Sequence, residues 1–271
     1  MTRGNRIAAD VGGTFTDVAT FDAASGRLTL GKSLTTPDRI VDGIGHATAR
    51  AESHFGEAAL FLHGSTVAIN VMLERTGART ALVTTRGFRD VYEIGRVNRP
   101  DAYNLFFRRH RPLVERALRF EVDERMNAAG EPLRHIDFAE LEGIARRLEA
   151  ERVESLAILF LHSYRNPGHE IAAKRFFQRR LPRLFVSASH ELSQEYREFE
   201  RTSTVAANAY IGRQVERYLG ELEESLAQAR FPGRFLVVQS SGGLFDSAQA
   251  RTECVRMLES GPAASIFRLA R

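Results

Sequence analysis

The first 34 residues carry a strand-and-turn pattern that limits the folds open to this chain. Residues 6–11 form a short apolar run that ends at Gly12-Gly13, and residues 17–22 and 27–34 alternate apolar and polar side chains. Ala24-Ser25-Gly26 is a turn signal between the second and third runs. The pattern predicts an antiparallel opening of three strands. It argues against a Rossmann unit, where a helix follows the first turn, and against a Walker A loop, which needs Gly-Lys-Ser/Thr.

After these strands, apolar runs alternate with helical patterns, which predicts a mainly α/β layout. Strands are predicted at 59–63, 80–84, 156–161, 183–188 and 235–238, with a β-hairpin over 118–125 and 131–133. Helices are predicted at 37–54 with Thr36 as N-cap and Pro37 as first residue, at 66–76, after Asp137 as N-cap, after Asn166-Pro167, and over 195–228. Residues 95–115 have little periodicity and are predicted to be an irregular loop. A boundary between two lobes is predicted near 188–195.

Composition restricts the class of protein before any motif is considered. Of 271 residues, 43% are hydrophobic and 27% charged, which is ordinary for a folded globular domain. No apolar run is long enough to span a bilayer, and the N-terminus does not resemble a signal peptide. We therefore expect no membrane association and a cytoplasmic location. The single cysteine, Cys254, excludes an intramolecular disulfide framework and favours a buried thiol.

The net charge of +4 raises the question of nucleic-acid binding. The densest basic cluster, Arg108–Arg111, follows Phe106-Phe107, and such a combination can bind RNA. A solvated loop or a subunit contact is the alternative, and it is favoured because the other arginines are scattered among acidic residues. We expect no nucleic-acid partner. The histidines show no metal-ligand spacing, so structural roles are expected for His63, His162 and His190.

The chemistry of the chain is concentrated in Asp10-Val-Gly-Gly-Thr-Phe-Thr-Asp17. Adjacent glycines let the backbone approach an anion closely, and successive N–H groups with the hydroxyls of Thr14 and Thr16 can surround phosphate oxygens. Asp10 and Asp17 flank the turn, where Mg²⁺ or its waters would sit beside the phosphates. A plain Gly-Gly hairpin is the alternative, but it has no need of two carboxylates and two threonines. The segment predicts a phosphate-binding loop over Gly12–Thr16, including Phe15.

This loop resembles the first phosphate loop of the actin/Hsp70/sugar-kinase superfamily. Within that superfamily the chain resembles the hydantoinase A/5-oxoprolinase family, which includes acetone carboxylase subunits. Besides Asp10–Asp17, the resemblance rests on His63–Arg75, Thr80–Val91, Glu93–Pro100, Ser189–Leu192 and Glu259–Ala263. It implies an α/β, RNase H-like (actin/sugar-kinase-type ATPase) lobe with a mixed sheet over residues 1–190. Residues 191–271 would begin the second lobe.

The resemblance also implies an activity. Members of the family use ATP to phosphorylate the carbonyl oxygen of a lactam, cyclic imide or ketone, and a partner subunit or domain then completes hydrolysis or carboxylation. The expected cofactors are ATP and Mg²⁺, with Asp10 and Asp17 as catalytic residues that order the metal through water. A second, hydantoinase B-type subunit and a homo-oligomer are the expected protein partners.

Other positions carry weaker predictions. Thr66 and Asn70 are four residues apart, so on a helix they share a face and can bind a polar substrate, although Ser65 or Thr66 can equally act as the helix cap. Arg96, with Asn98 or Arg99, can close over the site or lie in a plain surface loop. Gly242 and Gly243 resemble a turn that lies near the nucleotide in the family, with a structural turn as the alternative.

Only one phosphate loop is present, whereas the superfamily uses a second one from its second lobe. We therefore expect the chain to be part of a two-lobed enzyme and to have little or no ATPase activity alone. The leading hypothesis is the N-terminal part of an ATP-dependent hydrolase of cyclic amides of the hydantoin or 5-oxoproline type. The alternatives are an acetone-carboxylase-like ketone-activating subunit, another small-molecule kinase of the superfamily, and a non-catalytic partner-binding module.

Overall fold

The computed structural model of the chain describes residues 5–36, 39–96, 103–107 and 111–260. The strands in these residues are, in chain order, β1 (Asn5–Val11), β2 (Phe15–Phe21), β3 (Leu28–Leu34), β4 (Ala58–Ser65), β5 (Thr80–Thr85), β6 (Arg119–Val122), β7 (Arg125–Met126), β8 (Pro132–Arg134), β9 (Ser155–Leu159), β10 (Phe185–Ala188), β11 (Arg234–Val238) and β12 (Leu244–Asp246). The helices are α1 (Ile40–Arg50), α2 (Val67–Leu73), α3 (Val91–Ile94), α4 (Phe138–Ala150), α5 (Gly168–Arg180), α6 (Ser189–Leu192), α7 (Glu198–Gln228) and α8 (Ser247–Thr252).

The chain forms two compact units. One contains the residues up to Thr76 together with those from Gln214 onward, and the other contains residues 77–213. Helix α7 contributes its first half to one unit and its second half to the other. The predicted division into family lobes at residue 190 stays a prediction, because the compact units of this chain follow a different division.

The first unit is built on a six-stranded mixed sheet with the order β12-β11-β4-β1-β2-β3. Strands β4 and β11 run parallel to β1, whereas β2 is antiparallel to both β1 and β3. The predicted antiparallel opening of three strands is therefore confirmed. Alternation decides the buried face: Ile7, Ala9 and Val11 of β1 and Val18 of β2 are buried. With Ile44 of α1, they form the core of this unit.

A glycine allows α1 to pack tightly against β3. A Cβ at Gly31 would lie 2.8 Å from the backbone nitrogen of Ala51 and closer still to the carbonyl oxygen of Ala47. In the same core, Phe61 of β4 is buried and stacks on Phe235 of β11, with ring centroids 5.3 Å apart. These contacts fix β11 beside β4, even though most of the chain lies between them.

The second unit contains a four-stranded parallel sheet with the order β10-β9-β5-β6. Its central strand β9 is a continuous apolar run that is buried along its whole length, as expected when helices cover both faces. Helix α4 begins after Asp137, whose carboxylate accepts a hydrogen bond from the Ala139 N–H at 2.8 Å. That predicted N-cap is confirmed.

Three predictions about local structure were wrong or incomplete. Helix α1 begins at Ile40 after Arg39, and Thr36 is not its N-cap; the Thr36 hydroxyl instead accepts a hydrogen bond from the Gly43 N–H at 3.2 Å. Pro37 lies outside the described residues. The predicted hairpin over 118–133 is only the short pair β7–β8, because β6 pairs in parallel with β5. Strand β12, antiparallel to β11, was not predicted.

Candidate functional site at the carboxyl edge of the mixed sheet

The loop that joins β1 to β2 contains Gly12, Gly13 and Thr14. It is closed by a hydrogen bond from the Gly12 N–H to the Phe15 carbonyl oxygen at 2.9 Å. Gly13, Thr14 and Phe15 are exposed. The turn is tight at Gly12, because a Cβ there would lie 3.1 Å from the Phe15 carbonyl oxygen. The predicted phosphate-binding segment is thus a short, exposed loop at the end of the half-buried strand β1, followed by the first two residues of β2.

Thr35, which sequence reasoning missed, braces this loop. Its N–H donates to the Thr14 carbonyl oxygen at 2.9 Å, and its hydroxyl donates to the Gly12 carbonyl oxygen at 2.9 Å. Thr16 is buried, and its hydroxyl lies 3.1 Å from the Thr35 hydroxyl. Thr16 therefore supports the loop from the core side. The antiparallel return of β3 toward the loop was the signal that could have identified Thr35.

The two carboxylates of the segment are directly opposed. Asp10 of β1 is the register partner of Asp17 of β2, so both side chains lie on the same face of the sheet. Lys32 of β3 is the next partner in that row, and its Nζ lies 3.2 Å from both carboxylate oxygens of Asp17. It also lies 4.5 Å from the ring centroid of Phe15. Two opposed carboxylates with one lysine leave the row with an excess of negative charge.

The start of α2 lies against the same loop. The Thr66 N–H donates to the Val11 carbonyl oxygen at 2.9 Å, which ties α2 to the end of β1. Thr66 and Asn70 share a helix face, as predicted, and Asn70 Nδ2 donates to the Thr66 hydroxyl at 3.2 Å. A Cβ at Gly13 would lie 3.6 Å from Asn70 Nδ2. Thr66 is the N-cap residue of α2, but its side chain makes no capping hydrogen bond; the Ser65 hydroxyl instead accepts from the Val67 N–H at 3.0 Å.

Ser260 fixes the strand end below this helix. Its hydroxyl donates to the Ser65 carbonyl oxygen at 2.8 Å and accepts from the Ser65 N–H at 3.2 Å.

Further down β4, His63 is fully buried, and its Nε2 lies 2.7 Å from the Tyr218 hydroxyl. Burial lowers the pKa of the His63 imidazole to about 3. His63 is therefore a neutral structural histidine, as the sequence predicted.

The turn Gln239–Gly243 lies at the same edge of the sheet, because β11 runs parallel to β4 and both end there. Gly242 adopts φ +84°, and its N–H donates to the Gln239 carbonyl oxygen at 2.9 Å. The Ser240 hydroxyl accepts from the Glu259 N–H at 2.9 Å, which anchors the turn. The strand order thus brings this turn, the β1–β2 loop and α2 to one edge.

Arg96 belongs to the other compact unit, where its guanidinium forms an ion pair with Glu200. Asn98 and Arg99 lie outside the described residues. Cys254 is buried, so the predicted buried thiol is confirmed, and burial raises the pKa of that thiol. In the part of the chain that the structure describes, no three His, Cys, Asp or Glu side chains form a group able to hold a metal ion.

The mixed sheet, with its β1–β2 loop and the elements gathered at its carboxyl edge, places the chain in the class of proteins with an actin/sugar-kinase-like, RNase H-like lobe. The chain is similar to the nucleotide-free structure of acetone carboxylase, with a TM-score of 0.86 over 98% of this chain and 40% of that one at 24% identity. It is also similar to the ATP-dependent caprolactamase of Pseudomonas jessenii, with a TM-score of 0.83 over 95% of this chain and 39% of that one at 30% identity. The predicted fold class is confirmed.

The chain belongs to the hydantoinase/oxoprolinase family. Residues 6–181 match the N-terminal region of that family, and residues 201–271 match its hydantoinase/oxoprolinase domain. The predicted family resemblance is confirmed.

Named relatives agree with this assignment. The chain is 38% identical to an uncharacterised protein of Methanocaldococcus jannaschii over 100% of this chain and 40% of that protein. It is 33% identical to the caprolactamase subunit alpha of Pseudomonas jessenii over 96% of this chain and 39% of that subunit. It is 30% identical to the 5-oxoprolinase of Saccharomyces cerevisiae over 98% of this chain and 24% of that enzyme. The chain thus spans well under half the length of these relatives.

None of the helices that the structure describes has the length and apolar character needed to cross a bilayer.

Proposed function

We propose that this chain supplies the phosphate-binding edge of an ATP-dependent hydrolase of cyclic amides, which phosphorylates the carbonyl oxygen of its substrate. One observation carries the proposal: the β1–β2 loop lies beside Asn70 and next to the opposed pair Asp10 and Asp17. The named relatives that act on cyclic amides, a caprolactamase subunit and a 5-oxoprolinase, support the substrate class.

The loop has the properties that a triphosphate requires. Gly13 and Thr14 are exposed and lack bulky side chains, so phosphate oxygens can approach the backbone closely. The three hydrogen bonds that Thr35 makes or shares hold the loop in shape without any ligand. We assign phosphate contact to Gly12, Gly13, Thr14 and Phe15. We assign Thr16 a supporting role, because its hydroxyl is buried against Thr35.

The carboxylate row fits a hydrated divalent cation. Like charges on directly opposed residues of an antiparallel pair repel each other, and a cation relieves that repulsion. Lys32 pairs with Asp17 and offsets its charge. We therefore assign Asp10 to the magnesium shell, with Asp17 contributing through water. MgATP, when bound, would supply the phosphoryl group that turns an amide carbonyl oxygen into a good leaving group.

The substrate would lie on the α2 side of the loop. Thr66 and Asn70 offer a hydroxyl and an amide on one helix face. Both groups can donate and accept hydrogen bonds, so they can pair with the N–H and the carbonyl oxygen of a cyclic amide. Arg96 is held by Glu200 in the other unit, so we assign it no direct contact. Gly242 and Gly243 would approach the nucleotide from β11, at the same edge.

Binding of a whole nucleotide needs contacts beyond one loop, so we propose that the chain works within a longer protein and with a partner subunit. A relative named as a subunit, the caprolactamase subunit alpha, supports a multi-subunit enzyme. We also propose homo-oligomer formation and a cytoplasmic location.

A second candidate is activation of a ketone for carboxylation. The acetophenone carboxylase gamma subunit of Aromatoleum aromaticum is 30% identical over 97% of this chain and 38% of that subunit, and it supports this alternative. Both candidates phosphorylate a carbonyl oxygen, and they differ in what completes the reaction.

Two measurements test the proposal. Isothermal titration of the longer protein with MgATP should give saturable, magnesium-dependent binding that Asp10→Asn weakens, whereas the Asp42→Asn variant, altered on α1, should bind like the wild type. Release of ADP, followed with the longer protein, should be stimulated by caprolactam, hydantoin or 5-oxoproline and not by glucose. Stimulation by acetone or acetophenone alone would favour the activation of ketones for carboxylation. Stimulation by glucose alone would refute both the amide-hydrolase and the ketone-activation hypotheses.

A further inference from the structure

We propose that the segment Tyr103–Phe107, in the unit of residues 77–213, is the site where an acidic surface of a partner subunit docks. This inference rests on the proposed function only in assuming that the chain works beside another subunit. It concerns a surface that the phosphate-binding edge does not use.

The segment displays large apolar side chains to solvent. Tyr103 is 97% exposed, Leu105 95% and Phe106 89%, while Phe107 is 37% exposed. Four of the five consecutive residues are thus large and apolar, and three of them are almost fully exposed. Isolated apolar side chains on a surface need no explanation, but a contiguous group marks an interaction site. Aromatic anchors of this kind are enriched at the centres of protein interfaces.

The backbone of the segment has a defined shape. The Asn104 side-chain oxygen accepts a hydrogen bond from the Phe106 N–H at 2.9 Å, and the Asn104 carbonyl oxygen accepts from the Phe107 N–H at 3.1 Å. Such a turn holds Leu105 and Phe106 at its tip. A surface that is already in its binding shape loses less conformational entropy when a partner binds.

The residues that flank the segment in the sequence are mostly basic, which indicates an acidic partner. Residues 96–111 contain five arginines and one aspartate, and the rest of the chain has 33 basic and 33 acidic side chains. The whole net charge of +4 therefore belongs to this stretch of sequence. A partner surface that is acidic around an apolar pocket complements it and speeds association.

The observations favour a protein over a nucleic acid or a membrane. Leu105 has no flat face on which a base could stack. Several relatives are themselves named as subunits, including the caprolactamase subunit alpha and the acetophenone carboxylase gamma subunit.

The absence of tryptophan from the chain allows a direct test. Phe106→Trp introduces a single indole at the tip of the segment, and Leu133→Trp introduces one at an exposed apolar position on the β7–β8 hairpin. The probe is the second subunit of the Pseudomonas jessenii caprolactamase, freed of tryptophan by substitution. We expect its addition to shift the indole emission of the Phe106→Trp protein to the blue in a saturable way that weakens with added salt. The emission of the Leu133→Trp protein should not move.

A second experiment tests whether the side chains of Leu105 and Phe106 make the contact with the subunit. In a label-free titration, Leu105→Ser combined with Phe106→Ser should weaken subunit binding at least tenfold, whereas Leu133→Ser should not. Because all three positions are exposed, circular dichroism should be the same for each variant. Wild-type binding that survives the double substitution, or no binding at all, overturns the proposal. So does tighter binding to single-stranded RNA or to phosphatidylserine vesicles that depends on Leu105 and Phe106.

The two proposals fail separately. Subunit binding through this segment without MgATP binding would refute the enzyme assignment and leave the docking site intact. If MgATP binds but the Leu105→Ser, Phe106→Ser variant binds the second subunit as tightly as the wild type, the docking site is refuted and the enzyme assignment stands.

Discussion

Gly13 and Asn70 face each other across the loop edge, and a Cβ at Gly13 would lie 3.6 Å from Asn70 Nδ2. That distance is an ordinary van der Waals contact, so the loop accommodates alanine, but the added methyl group occupies space that a phosphate would need. We expect Gly13→Ala to weaken MgATP binding by about tenfold, or about 1.4 kcal/mol, without loss of thermal stability. Titration calorimetry and thermal unfolding measure the two effects.

Gly45 provides the matched control. It lies exposed on α1, and an added Cβ would meet no atom within 4 Å. Gly45→Ala should raise stability by roughly 0.5–1 kcal/mol, since alanine is the better helix former, and leave MgATP binding unchanged. Equal binding by the Gly13 and Gly45 variants would remove the loop from the nucleotide site.

Asp10→Asn tests the proposed magnesium site. The substitution removes one of two directly opposed carboxylates and, with it, a ligand for hydrated magnesium. We expect MgATP affinity to fall by at least about tenfold while the dependence on magnesium concentration flattens. If affinity and magnesium dependence both stay at wild-type values, Asp10 has no part in nucleotide binding.

Gly31→Ala tests the packing of α1 on β3. The added Cβ would lie 2.8 Å from Ala51 N and still closer to the Ala47 carbonyl oxygen. Because both of these are backbone atoms, the helix itself must move. Overpacking of this kind typically costs about 1–3 kcal/mol. Urea unfolding should show that loss, against a small gain for Gly45→Ala. A Gly31→Ala protein as stable as the wild type would mean that α1 and β3 are not packed this closely.

His63 makes stability depend on pH. Burial depresses the pKa of its imidazole to about 3, whereas an unfolded histidine titrates near 6.5, so the unfolded chain binds the extra proton between these values. Its contribution to stability is therefore present above about pH 6.5 and is lost as the pH falls toward 3, by up to about 1.4 kcal/mol per pH unit. His63 Nδ1 has no hydrogen-bond partner among the described residues, so nothing there would compensate a second proton.

His63→Gln keeps a polar group near the Tyr218 hydroxyl but cannot titrate. The free energy of unfolding, measured with urea at several values between about pH 7 and pH 4.5, should fall less steeply for this variant than for the wild type. Parallel curves for the two proteins would show that His63 is not buried in the neutral form.

Glu170 is a fully buried charge of the other unit. Burial alone would raise the pKa of its carboxyl, but hydrogen bonds from the His190 and Ser189 side chains and from backbone N–H groups outweigh that effect and lower it. The Arg201 guanidinium, which is also buried, lies 4.0 Å away. Glu170→Gln would remove the largest charge that compensates the buried Arg201 guanidinium.

The expected loss for Glu170→Gln is about 3–5 kcal/mol by urea unfolding, as for other broken buried ion pairs. Glu149→Gln, at a surface pair with Arg180, should change little. Since the folded-state pKa of Glu170 is depressed, its stabilisation is present above the unfolded pKa and disappears as the pH falls through the folded-state value. A small effect of Glu170→Gln at neutral pH would contradict this account.

Local signals identified many of the pieces. The Gly12-Gly13 and Ala24-Ser25-Gly26 turns with period-two alternation predicted β1, β2 and β3, and Asp137 predicted the start of α4. The same kind of reasoning failed for the hairpin over 118–133. There β6 pairs with β5, a strand more than 30 residues away, and a parallel partner leaves no local turn signal.

The sequence by itself determined the residue content of the β1–β2 loop and the register that opposes Asp10 to Asp17, because a short turn between two alternating strands fixes which side chains share a face. Only the tertiary structure decided what surrounds that loop. Thr35 braces it, Asn70 lies beside it, and Ser260 holds the end of β4 from 195 positions away. Such contacts depend on which buried surfaces fit together across the whole chain, and local propensity carries no record of them.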